Sequence, residues 1–231
     1  WSLSLIGWVH SNSGNHSEAL SCSLQALDCY RGTGHRIDEG NMLNTIASIY
    51  HELGDTDRAI VNYEAAMNAN AQLNRPDFDA ITLANVASLR AERGEFDTAI
   101  EIGERALALC RMHAVGFLPE VLAALAGAYG GRGEFDQART LLNAALAMLD
   151  ASSVSFDDAV RSSVELAFGR VELSAKNDAE ALSHFCRALG LAEVINAKPI
   201  EFSAHCALAD LYKAMGQFEE AVYHLEKKFA I

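Results

Sequence analysis

The octapeptide RGEFDTAI at residues 93–100 returns almost unchanged as RGEFDQAR at residues 132–139. Working outward from this pair, weaker copies stand at residues 13–20 (SGNHSEAL), 53–60 (LGDTDRAI) and 215–222 (MGQFEEAV). Gly14, Gly54, Gly94 and Gly133 follow one another at 40, 40 and 39 residues, whereas the step to Gly216 is 83. That double step holds a sixth, degenerate copy, AKNDAEAL at residues 175–182, in which Lys176 replaces the glycine. The alanine five places on is kept in all six copies: Ala19, Ala59, Ala99, Ala138, Ala181 and Ala221. Self-similarity at a fixed period of this length points to a stacked array of small supersecondary units.

Each period carries two helical patterns around its turn. Upstream of Gly54, Leu43, Ile46, Ala47 and Tyr50 fall on one face of a 3.6-residue helix, and downstream so do Ala59, Tyr63 and Ala66. The fourth copy repeats this with Leu122, Leu125, Ala126 and Tyr129, then Ala138, Leu142 and Ala145. Glycine ends the first helix, and an acidic residue in the first turn of the second complements its dipole. The spacing predicts an all-α chain with no strands. The connections carry the three prolines and N-cap candidates Asp38, Asp77 and Ser155, and none is long enough to divide the chain into domains.

These positions resemble the tetratricopeptide repeat: a large residue, Leu-Gly or Leu-Ala, Tyr, Gly, Ala, an aromatic and Ala. The resemblance implies an α-α superhelix of about six helix pairs, one domain spanning residues 1–231. Its repeats would cover approximately 1–35, 36–75, 76–115, 116–154, 155–197 and 198–231. The period is longer than the family's common 34 residues, which implies longer helices or connections. His10, Arg90 and Glu172 depart from the usual Tyr.

The chain has 18 basic and 31 acidic residues, a formal net charge of −13. Such a balance disfavours the phosphate backbone of nucleic acid and anionic lipid as partners. No apolar run approaches the ~18 residues of a membrane span, and the opening lacks the basic flank of a signal peptide. The five cysteines form no C-x-x-C pair and read as reduced, mostly buried thiols of a cytoplasmic protein. His51-Glu52 begins like a zinc-protease motif but lacks the second histidine. Gly130-Gly131-Arg132-Gly133 lacks the Lys-Ser/Thr of a phosphate loop. No catalytic constellation, metal site or cofactor is expected.

In the tetratricopeptide family the first helix of each pair lines a concave groove that holds protein or peptide partners. Carried over position by position, this implies Trp8, Asn44, Ser48, His51, Asn85, Ser88, Glu92, Ala124, Gly127, Gly130, Arg170, Asp210 and Lys213 as groove candidates. Of a carboxylate clamp only the Asn element is present, at Asn44 and Asn85. Arg90 and Glu172 are weighed as a contact pair. Interior helical glycine costs about 1 kcal/mol relative to alanine. Gly127, Gly130 and Gly131 in one helix therefore suggest either a frayed end or bare backbone kept open for a partner. On the second reading, the surface across repeats two to four binds the partner, with Asn44, Ser48, Asn85 and Ser88 as polar contacts.

The last copy has Ala204, His205, Leu208, Tyr212, Gly216, Ala221, His224 and Phe229 in register. It resembles the final repeat before the output domain of bacterial signalling proteins, notably those with a GGDEF diguanylate cyclase domain. Its closing helix is in register where the sequence stops, with Leu225 expected inward and Lys227 and Lys228 solvated. The segment reads as one excised from a longer chain. The expected function is a non-catalytic regulatory module of such a protein. A peptide-sensing domain of a transcription regulator and a plain assembly scaffold are the alternatives, and self-association is left open.

Overall fold

The computed structural model describes residues 2–73, 76–151 and 157–229. Among them are twelve α-helices: α1 (Ser2–Asn12), α2 (His16–Thr33), α3 (Arg36–Glu52), α4 (Thr56–Leu73), α5 (Pro76–Glu92) and α6 (Phe96–His113), then α7 (Leu118–Arg132), α8 (Phe135–Ala151), α9 (Asp157–Ser174), α10 (Asp178–Ile195), α11 (Lys198–Ala214) and α12 (Phe218–Phe229). One 3-10 turn, Val115–Phe117, precedes α7, and no strand occurs among the described residues. The helices form six antiparallel pairs stacked into a superhelix. Of the sequence candidates, Ser155 and the side chains of Trp8, Asp77 and Phe229 lie outside the described residues.

The repeated glycine is fixed by backbone conformation. Gly14, Gly54, Gly94, Gly133 and Gly216 all have φ between 75° and 89°, and so, at 64°, does Lys176. In each turn two backbone bonds close the end of the first helix. At Gly54 the amide donates to the His51 carbonyl at 2.9 Å and the Asp55 amide to Tyr50 at 2.9 Å. At Lys176 the same two bonds run to Leu173 (3.1 Å) and, from Asn177, to Glu172 (2.9 Å). This geometry needs the left-handed conformation, which glycine adopts freely and lysine at a cost of about 1–2 kcal/mol. The degenerate copy therefore keeps the turn without the residue that favours it.

The alanine after each turn is where the paired helices touch. Ala19, Ala59, Ala99, Ala138 and Ala181 are completely buried and Ala221 nearly so. Between pairs, larger side chains fill the gap: Tyr63 packs with Val86 and Leu89, and Leu142 and Leu149 with Val164 and Phe168. The odd-numbered helices also pack on one another, forming the inner wall. After six pairs the curvature brings α1 against α11.

The structure departs from several sequence expectations. Asp38 is not an N-cap: α3 starts at Arg36 after His35, and Asp38 lies in its first turn, 3.5 Å from His35 Nδ1. Only Cys110 of the five cysteines is buried; Cys29 and Cys186 are exposed, since they fall on outward faces of α2 and α10. Arg90 and Glu172 do not pair. Arg90 bonds Glu95 at 2.7 Å, while Glu172 receives two bonds from Arg139, at 2.7 and 2.8 Å, and one from Asn177. Leu225 is 40% exposed rather than inward, because no following helix covers it among the described residues. Lys227 is exposed, but Lys228 is half-buried against the Phe202 ring.

Candidate functional site

The inner wall encloses a groove of about 1070 Å³. Its length is set by α3, α5, α7, α9 and α11, each of which presents one stripe to it. The floor is made of small side chains, Ala84, Ala91, Ala123, Ala124, Gly127 and Ala167, because the inner helices converge and leave little room for large ones. Phe96, Phe117, Val160 and Ile200 add apolar surface between them. One end is closed by the turn before α2 and the start of α11. A Cβ placed on Gly14 would stand 3.8 Å from that of Lys198.

The polar wall has two imidazole–carboxylate pairs from adjacent repeats. His51 Nε2 donates to Glu92 Oε2 at 2.7 Å, and His16 Nδ1 lies 3.1 Å from Glu52 Oε2. Burial pushes both carboxyls up. For Glu92 the hydrogen bond from His51 and the charges of His51 and Arg170 outweigh burial and hold it below 4.5. For Glu52 burial prevails over His16, His51 and Ser11, and its carboxyl stays above that value. Arg170 projects from α9 into the groove and is exposed, and Lys198 and Lys228 line the far side. The surface can thus take an extended chain along an apolar floor while offering both signs of charge at its rim.

Of the residues singled out from sequence, His51, Asn85, Ser88, Glu92, Ala124, Gly127, Gly130 and Arg170 line this groove. Asn44 and Ser48 do not line it. Asn44 Oδ1 accepts a bond from the buried Thr82 at 3.2 Å, and Ser48 is 3.1 Å from the Tyr63 hydroxyl, so both serve the packing of α3. Asp210 and Lys213 are exposed on α11 outside the groove. The three glycines of α7 separate. Gly127 faces open space; a Cβ on Gly130 would meet Val171 at 2.8 Å, and one on Gly131 would collide with the Phe96 ring. Close helix packing therefore accounts for Gly130 and Gly131, and α7 continues to Arg132 without fraying.

Sequence reasoning missed His16, Glu52, Phe96, Lys198, Phe202 and Lys228 as groove residues. His16 and Glu52 carried a usable signal, since they sit beside the repeat turn at the same end as His51. Lys198 and Phe202 carried none, because only the superhelical return brings the start of α11 round to Gly14. Elsewhere, His184 Nδ1 bonds Glu165 at 2.6 Å and stacks on Phe168, all three buried between α9 and α10. Among the described residues no group of three or more His, Cys, Asp or Glu is placed to hold a metal ion.

Family models for the tetratricopeptide repeat match residues 38–112, 119–144 and 202–227. The chain is built of tetratricopeptide repeats. This tetratricopeptide-repeat chain is 31% identical over 104 residues to response regulator aspartate phosphatase H of Bacillus subtilis (strain 168). That match covers 45% of the chain and 28% of the relative, so it spans less than a third of the relative's length. Among solved structures, a Rap protein complexed with Competence and Sporulation Factor superposes with a TM-score of 0.79 at 16% identity. It covers 99% of this chain and 62% of that one. The Rap conjugation gene regulator of plasmid pLS20, in complex with a Phr peptide, gives 0.76 at 13% identity with the same coverage. The pilus biogenesis factor PilW gives 0.59 at 15% identity, covering 99% and 91%. At these identities the likeness is one of fold. Among the described residues no helix is long and apolar enough to cross a membrane.

Proposed function

We propose that this chain is a non-catalytic regulatory module, a single domain that holds a peptide or an extended protein segment in its concave groove. The carrying observation is the groove itself: about 1070 Å³, apolar along its floor and charged at its rim. Its volume is at the upper end for small-molecule sites and suits a run of several residues. Of the structures that share the fold, one is described as a complex with a Phr peptide and another as a complex with Competence and Sporulation Factor, which supports a small extended partner over a large folded one. The module belongs to a bacterial cytoplasmic signalling protein of several domains, its output lying outside these 231 residues. The resemblance of the last repeat to those preceding GGDEF domains supports that context. The conjugation gene regulator supports the alternative reading, a peptide-sensing part of a transcription regulator.

Gly127 is the place to test the groove, since its added side chain meets nothing within 4 Å and points into open space. A peptide selected from a random displayed library on the wild-type chain is titrated calorimetrically against wild type and Gly127→Arg. The variant is expected to fold, with an unchanged circular dichroism spectrum, and to lose about tenfold or more in affinity, equivalent to about 1.4 kcal/mol. Unchanged affinity would move the binding surface to the convex face or to an end of the stack.

A further inference from the structure

His205 and His224 were singled out by sequence register and take no part in the groove's polar wall. The structure joins them. His205 on α11 and His224 on α12 are 4% and 9% exposed, and their Nδ1 atoms stand 2.8 Å apart. Tyr212 stacks on the His224 ring, with centroids 5.5 Å apart and planes 8° from parallel, and Tyr223 meets it edge-on. A bond between two ring nitrogens holds one proton: one Nδ1 donates and the other accepts through its lone pair. A second proton in that gap would set N–H against N–H and charge against charge.

Few other side chains of α12 are buried. Along Phe218–Lys228 only Ala221 and His224 are buried, while Phe218, Val222, Tyr223 and Leu225 are between 40% and 66% exposed. The same helix supplies Lys228 to the groove, its Nζ lying 5.4 Å above the Phe202 ring. We propose that the His205–His224 pair is a proton-sensitive latch. It fixes α12 on α11 at neutral pH and releases it in acid, withdrawing Lys228 from the groove wall. The last step rests on the groove being the binding site; the latch does not.

The charged surroundings of the pair are mixed. Glu193 of α10 and Glu201 of α11 favour a proton on His205, whereas Lys198 of α11 and Lys227 of α12 oppose it. His205 in turn opposes charge on His224. Burial is the largest influence on both rings and pushes each below the ordinary 6.5. The docked helix therefore binds fewer protons than the released one. Docking is at full strength above 6.5 and weakens as the pH falls below it toward the values of the docked state.

Hydrogen–deuterium exchange of the 231-residue chain tests this, with α12 compared against α8 at about pH 7.5 and about pH 5 after correction for intrinsic rates. Protection of α12 is expected to fall about tenfold or more, while α8 holds. His205→Asn places an amide where the ring Nδ1 stood, keeps one hydrogen bond to His224 and removes the opposing charge, so its α12 should lose less protection in acid than that of the wild type. His224→Asn provides the reciprocal measurement if the first variant folds poorly. Flat α12 protection in the wild type, or full pH dependence in both Asn variants, overturns the latch. The library-selected peptide should lose more affinity in acid for the wild type than for His205→Asn. Equal acid sensitivity in the two would overturn the coupling to the groove. A wrong groove reading would show separately, as undiminished binding by Gly127→Arg.

Discussion

Helices α10 and α12 have the same register and different surroundings. Four residues after the turn alanine, α10 carries Phe185, fully buried, and α12 carries Leu225, 40% exposed. Phe185 lies over Gly169 of α9 and packs with Leu208 and Leu211 of α11. Leu225 has α11 on one side only. The equivalent residues Ser23, Tyr63 and Leu142 are all at most 1% exposed. Burial of this position is thus completed by the odd-numbered helix that follows, which adds to the contact made within the pair. The turns invert the contrast: the pair ending in α10 turns at Lys176 and the pair ending in α12 at Gly216, both with positive φ. A favourable turn precedes the loosely covered helix, and an unfavourable one precedes the well-covered helix.

The comparison breaks most readily at Phe185. Phe185→Ala removes a buried ring that Gly169 was shaped to admit, and the loss should be about 3–5 kcal/mol by urea denaturation. A loss below about 1 kcal/mol would mean that the α9–α11 layer collapses around the gap, and that coverage is not what stabilises α10. Next in size is the turn. Lys176→Gly relieves the left-handed lysine and should raise stability by about 1 kcal/mol, read as a shift in the urea midpoint with the slope unchanged. A destabilising result would show that the Lys176 side chain contributes more than its backbone costs. Smallest is Leu225→Ala, expected to cost about 0.5–1 kcal/mol because the residue is already 40% exposed. A cost comparable to Phe185→Ala would remove the contrast altogether.

The fold was legible because its determinants are local and repeat. Each turn needs one left-handed residue, and five glycines mark it. The sixth site was found by its alanine, Ala181, and by spacing, although its own residue was wrong for the conformation. The groove was legible in part, since residues near the turn, such as His51, Ser88 and Gly127, follow the helix phase directly. Asn44 and Ser48 share that phase and still turn away. Thr82 and Tyr63 are the partners that draw them into packing, and they lie 38 and 15 residues away in sequence. The glycines of α7 teach the same lesson. Local propensity marks all three as costly, but only their neighbours tell why Val171 and Phe96 require two of them.

Sequence alone determined the all-helical state, the pairing of the helices and the positions of the turns. Those follow from the 3.6-residue period and from backbone conformations that few residues accept. Tertiary structure decided the curvature, and curvature decided the rest. It brought Lys198 and Phe202 to face the first repeat and put His16 beside Glu52, while the close packing of α12 on α11 set His205 against His224 at hydrogen-bonding distance. A small rotation added at every helix pair accumulates over six pairs, and no single repeat's sequence records the sum.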